Sequence, residues 1–182
     1  MADTQRTLAQ ILALAADNTS GAISPQDLRD CIVSLRTDRG EIYKLANASA
    51  TTATLQATWY LGASATALSS SPISFDMPAN GRLRYTGAAV RTLVITATFS
   101  YVTSANGKAW WFDIAKNGTE SGIAQQRHHK ATAANEETMT LQWVAPGVAT
   151  NDYFEVHVYN EDAAAETITL INLNLRAIGL IE

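Results

Sequence analysis

The sequence contains a single cysteine, Cys31, so no disulfide can close within the chain. Charge is also scarce. Asp, Glu, Lys and Arg make up 16% of the 182 residues, against about 25% in an ordinary soluble domain. The 13 basic residues form no block and the formal net charge is −4, which argues against nucleic acid as a partner, because nothing is concentrated to grip a phosphate backbone. No apolar run reaches the roughly 20 residues of a membrane span, so no membrane partner is expected. The opening MADTQRTLAQ is polar from its start, unlike a secretory signal. Without such a signal, the sequons at Asn18, Asn47 and Asn117 read as chance matches. Also missing are G-x-S-x-G, a phosphate-binding G-x-x-x-x-G-K-[ST], H-E-x-x-H and C-x-x-C. No enzyme and no cofactor are expected.

Thr, Ala, Ser and Asn fill the space that charge leaves, giving a polar but weakly charged surface. The pattern of apolar residues changes near residue 50. Before it the spacing is helical, with one stripe at Leu8, Ile11, Leu12 and Ala15 and a second at Leu28, Cys31, Ile32 and Leu35. Ser24 suits an N-cap, Pro25 the first helical position, and Asp27 the first turn, where negative charge favours the helix dipole. Arg36 and Arg39 lie near the other end, before Gly40. The expectation is a helix-turn-helix element over residues 1–45, with Cys31 as a small apolar residue on the buried side. Residues 46–54, ANASATTAT, read as a linker.

From residue 55 to 182 the period becomes two. Leu93, Ile95, Ala97, Phe99 and Tyr101 alternate with Val94, Thr96, Thr98 and Ser100, and similar alternation surrounds Trp110, Leu141 and Val156. In the last run, ETITLINLNLRAIGLI, the phase slips by one at Ile171–Asn172, which predicts a β-bulge. Turn signals at 78–81, 105–107, 117–118, 145–147 and 160–162 separate about nine or ten strands, spaced as in a sandwich or barrel. No strand–helix–strand alternation and no fixed repeat occur.

Two stretches carry a family resemblance. FDMPANGRLRYTG, RTLVITATFSYV, WWFDIAKNG and DYFEVHVYN, followed by a final apolar strand, resemble the TNF/C1q-like jelly roll, short versions of which occur in tailed-bacteriophage virion proteins. AADNTSGAISPQDLRDCIVSL resembles a short N-terminal segment of phage structural proteins, their virion-attachment element. The resemblance implies a mainly β, antiparallel jelly-roll sandwich behind a small helical element. It also implies a homotrimer assembled around a threefold axis and a location in the virion, assembled in the host cytoplasm. The expected partners are further copies of the chain and a major capsid or other virion protein. The attachment candidates are then Leu8, Ile11, Leu12, Ile23, Asp27, Leu28, Ile32 and Leu35. Trp110 and Trp111 are adjacent in one strand and must face opposite ways. One can fill the core, while the other needs cover from a loop or a neighbouring subunit, and Tyr153 and Phe154 pose the same question. Trp111, Tyr153 and Tyr159 are therefore the trimer-interface candidates.

Ion chemistry is weakly represented. His128 and His129 are neighbours on a strand and cannot chelate one metal from a regular strand, while His157 sits on an outward strand face. An EF-hand frame with Gly21 at its sixth position places Ala16 where the first carboxylate belongs and Asp27 where a longer glutamate is usual, so no metal site is expected. Gly21, Ser24 and Asn18 instead suit a tight turn. The functional expectation is a homotrimeric capsid decoration or head-fibre protein. The alternative is a receptor-binding or carbohydrate-binding tail module, meeting a host-surface glycan through loops 103–109, 117–122 or 145–152.

Overall fold

The computed structural model describes residues 6, 8–16, 24–34, 36–162 and 165–180. Leu8–Ala16 form helix α1 and Pro25–Ser34 form helix α2. The α1 sequence LAQILALAA is made of strong helix formers apart from the β-branched Ile11. At the start of α2 a reciprocal cap forms. The Asp27 N–H donates to Ser24 Oγ at 3.1 Å, and the Ser24 N–H donates back to Asp27 Oδ2 at 3.0 Å. Ser24 Oγ–H also donates to Asp27 Oδ2 at 2.6 Å. These bonds hold the Asp27 carboxyl below its usual range. Arg6 joins the pair of helices by a 2.8 Å ion pair to the buried Asp30.

The helical element ends earlier than the sequence spacing suggests. Residues 39–44, assigned above to the helical side of the boundary, form strand β1 (Arg39–Lys44). Their pattern explains it: Gly40 and Ile42 are buried and alternate with more exposed neighbours, a period of two rather than 3.6. Within the stretch read as a linker, Thr51–Ala53 form β2. Ahead of β2, Asn47 is buried and its side-chain amide donates to the carbonyls of Ser49, Ala63 and Leu170. A buried backbone crossing must satisfy its polar groups, and this asparagine does so.

Eleven further strands follow: β3 (Trp59–Leu61), β4 (Ala67–Leu68), β5 (Phe75–Asp76), β6 (Leu83–Tyr85), β7 (Arg91–Thr103), β8 (Lys108–Lys116), β9 (Thr119–Glu120), β10 (Gln126–Lys130), β11 (Glu137–Val148), β12 (Tyr153–Asn160) and β13 (Glu166–Gly179). They build two antiparallel sheets. The first has the order β11-β7-β13-β1-β4, with β2 also on β13. The second has the order β10-β8-β12-β6-β5, with β3 on β12 and β9 on β8. The chain is thus mainly β, an antiparallel sandwich behind two small helices, as its alternating pattern indicates.

The inward phases of the strands make the core. Ile95, Ala97, Phe99 and Tyr101 from β7 meet Trp110, Phe112 and Ile114 from β8. The Phe99, Tyr101 and Phe112 rings cluster, with Phe112 5.1 Å from Phe99 and 4.8 Å from Tyr101 between centroids. The predicted bulge is present, since β13 pairs with β7 through Leu170 and then Asn172, skipping Ile171. The turn expected at 145–147 is instead a second irregularity inside β11, where pairing with β7 jumps from Ala145 to Val148. Pro146 cannot donate to the ladder, and Gly147 takes a positive φ of 63°. Asn117 and Gly118, both at positive φ, make the two-residue turn joining β8 to β9.

Candidate functional site

The outward face of the second sheet carries a row of large side chains. Tyr159 in β12 pairs with Trp59 in β3 on one side and Trp111 in β8 on the other, and Trp111 pairs with Arg127 in β10. Residues directly opposite in an antiparallel sheet share a face, so the register alone aligns Trp59, Tyr159, Trp111 and Arg127. The Trp59 and Tyr159 rings lie 5.1 Å apart at 44°. Glu161, just past β12, ties the far end. Its Oε2 accepts from Trp111 Nε1 at 3.0 Å and from Arg127 Nε at 2.5 Å. The Arg127 guanidinium holds the Glu161 carboxyl below its usual range. Trp59, Trp111, Gln125, Tyr159 and Glu161 line a cleft of about 290 Å3. The three rings are half-buried.

Of the trimer-interface candidates, Trp111 and Tyr159 therefore lie together in this row and Tyr153 lies apart. The Arg82 guanidinium covers the Tyr153 ring at 4.7 Å from its centroid. All three rings have partners in their own chain. Trp110 and Phe154, their inward neighbours, are fully buried. The sequence placed one tryptophan outward correctly but gave no sign of Trp59 or Glu161 beside it. That relation depends on β3 pairing with β12, about 100 residues later in the chain.

Next to the row the same face is charged yet buried. His157 stands opposite Asp113. Its Nδ1 lies 2.8 Å from Glu120 Oε1 and its Nε2 lies 3.1 Å from Glu155 Oε2. Arg82 Nε completes the set at 2.7 Å from Glu155 Oε1. The turn after β9 covers these groups, with the Ser121 hydroxyl and Gly122 N–H donating to Asp113 at 2.6 and 2.9 Å. Both imidazole nitrogens are engaged by carboxylates, and the nearby hydroxyl bonds Asp113 rather than the ring. The set therefore holds the 120–122 segment down and does not present a base beside a nucleophile. Among the described residues, no group of three or more His, Cys, Asp or Glu could hold a metal ion.

At the strand edge, His128 Nδ1 meets Tyr101 Oη at 2.5 Å and Glu137 Oε2 at 3.0 Å, whereas His129 is exposed. Lys130 is fully buried, 3.1 Å from Glu137 and 5.2 Å from the Tyr101 ring centroid. Burial and the Glu137 charge push the Tyr101 hydroxyl well above its ordinary range.

The outward face of the first sheet is different. The pairing aligns Thr140, Thr98, Asn174 and Tyr43 across four strands. Thr98 and Thr140 share a 3.2 Å hydrogen bond. An open hollow of about 550 Å3 lies on this face, and Tyr43, Thr98, Thr138, Asn172 and Asn174 are among its lining residues. Glu41, Lys44 and Glu136 line it as well.

On the helices, Leu12, Leu28 and Ile32 are 60%, 56% and 57% exposed, while Ile11, Asp27 and Cys31 are half-buried. Leu8 begins α1. Ile23 and Leu35 lie outside the described residues, as do Asn18 and Gly21 of the EF-hand frame. Asp27, the one carboxylate at a ligand position of that frame, is engaged by Ser24.

No family model matches the chain, and no curated protein matches it in sequence. Among solved structures, matches of low sequence identity are found. The vertex protein P5 of PRD1 is 11% identical over 79% of this chain and 96% of that one, with a TM-score of 0.49. A TNF from S. frugiperda, Eiger, is 8% identical over 79% of this chain and 92% of that one, with a TM-score of 0.42. Rabbit GITRL is 8% identical over 60% of this chain and 79% of that one, with a TM-score of 0.34.

Proposed function

We infer that the protein is a non-enzymatic structural component of a bacteriophage particle, a homotrimeric capsid decoration or head-fibre protein anchored to the virion by its N-terminal helices. One observation carries this reading: Leu12, Leu28 and Ile32 stand exposed on two short helices, ahead of a sandwich that buries its own apolar phases. Helices of 9 and 10 residues gain little stability alone, so an apolar face on them is best accounted for by a partner. The capsid shell or another virion protein is the partner that the attachment-like segment implies. Self-association is supported by the outward face of the first sheet, where Tyr43 and Leu45 stand exposed beside an open hollow that a further copy of the chain would cover.

The test uses the full chain. Leu28→Asp combined with Ile32→Asp should leave the melting of the sandwich unchanged and abolish recovery of the protein with particles. Retention on particles would overturn the anchor. A truncation should stop before Asp38, because removal of residues 39–44 would take a strand out of the first sheet. Light scattering reads the assembly state, and a monomer at micromolar concentration would overturn the trimer.

A further inference from the structure

We propose that the cleft between Trp59, Trp111 and Tyr159 is a binding site for a neutral saccharide. The cleft combines two kinds of surface that sugars require. Flat aromatic faces accept the C–H groups on one side of a pyranose ring, and planar polar groups at the edge take its hydroxyls. Glu161 and Gln125 supply the second kind. Both side-chain bonds of Glu161 fall on Oε2, so its Oε1 keeps its accepting capacity.

The polar edge is also held in place before any ligand arrives. The Glu161 N–H donates to the Ala109 carbonyl at 3.0 Å, and its own carbonyl accepts from Gln56 Nε2 at 2.7 Å. Ala57, two residues before Trp59, takes a φ of 57° that a non-glycine residue adopts at a cost, and its N–H is fixed to the Asn160 carbonyl at 3.0 Å. Strained backbone and a tied carboxylate make a rigid cleft, which lowers the ordering cost of a weak ligand.

Charge selects the class of ligand. An aromatic cluster beside a carboxylate also suits a quaternary ammonium ion. Here Arg127 sits against Glu161 at 2.5 Å and offsets its charge, while the neighbouring Asp162 carboxylate accepts from the Ala109 N–H and does not line the cleft, so no uncompensated charge lines it. The volume, about 290 Å3, fits one sugar ring rather than a long chain. This site is independent of the helices, and it differs from the loops 103–109, 117–122 and 145–152 that the sequence suggested.

The experiment titrates the full-length protein with galactose, glucose, N-acetylglucosamine and N-acetylgalactosamine, with tetramethylammonium ion and sialic acid as charged comparators, following tryptophan fluorescence. At least one neutral sugar should give a saturable change that the charged probes do not. Trp59→Ala and Glu161→Gln should each weaken it by about tenfold or more with an unchanged circular dichroism spectrum. Glu161→Gln keeps the shape of the edge and guards against a misfolded tryptophan variant. No response to any sugar, an equal response to tetramethylammonium, or full binding by Trp59→Ala would overturn the proposal. So would protection of Trp59 from hydroxyl-radical oxidation in the assembled protein without sugar, since the cleft would then be a subunit contact. Particle attachment of these variants should be normal, which separates this proposal from the anchor reading.

Discussion

Glu120 reaches back from the short strand β9 to place its Oε1 2.8 Å from Nδ1 of His157. Burial alone would lower the imidazole pKa. The hydrogen bonds that the ring donates to Glu155 and Glu120, with the charges of those carboxylates, outweigh it and hold the pKa above the ordinary 6.5. The folded protein therefore binds this proton more tightly than the unfolded chain does. The stabilisation is complete below the unfolded pKa and is lost as pH rises through the raised folded one. Thermal melts of the native chain and His157→Asn should differ most at about pH 5.5 and least at about pH 8.5. At the lower pH, loss of the imidazole should cost about 1–3 kcal/mol, because two carboxylates lose a partner. A gap that widens with pH would overturn this account.

Asp38 and Arg91 form a buried pair at 3.3 Å where the chain enters β1, and the Tyr85 hydroxyl also donates to Asp38 at 3.2 Å. Arg91→Met strips the cation from a carboxylate that cannot reach bulk water. Denaturant titration should show a loss of about 3–5 kcal/mol. Adding Asp38→Asn should recover part of that loss, because the charge itself is removed.

Gly40 faces Phe75 so closely that an added Cβ would stand 2.4 Å from the Phe75 Cβ and 2.5 Å from its Cγ. Both belong to the rigid base of the ring side chain rather than to a flexible tip. Gly40→Ala should therefore lower stability by about 1–3 kcal/mol, read as a shift of the denaturation midpoint. The contact joins the two sheets at the edge where β1 and β5 approach.

Ser24→Ala removes the acceptor for the Asp27 N–H. It should cost about 1 kcal/mol of helix stability, visible as reduced helical circular dichroism with no change in the sandwich transition. Calcium should alter neither signal, since the Asp27 carboxylate is already taken up by Ser24. A calcium-dependent rise in melting temperature would restore the ion-site reading.

Features that depend on local chemistry were legible in the sequence. Period two in 93–101 gave β7 with its inward face, and the slip at Ile171 gave the bulge in β13. Ser24, Pro25 and Asp27 gave the start of α2. What failed was set by distant pairing. Residues 39–44 read as part of the helical element because their strand pattern is short, and their partner, β13, lies about 130 residues away. Pro146 and Gly147 read as a turn because the same two residues serve a bulge equally well. The cleft was only half visible. Trp111 and Tyr159 could be placed on an outward face by alternation, but Trp59 and Glu161 join them through the β3–β12 pairing and the turn after β12.

The entry of the chain into the first sheet has a mechanical consequence. β1 follows the helices within a few residues and runs antiparallel to β13 over six residue pairs, from Arg39–Ile178 to Lys44–Leu173. A tug on the helices directed along β1 would strain those rungs together, in shear, rather than peel them apart in succession. The buried ionic clasp of Asp38 and Arg91 stands at the pulling end and would bear the first part of the tension. Under the proposed anchoring by the helices, the tether would then yield at its docking surface before the sandwich tears.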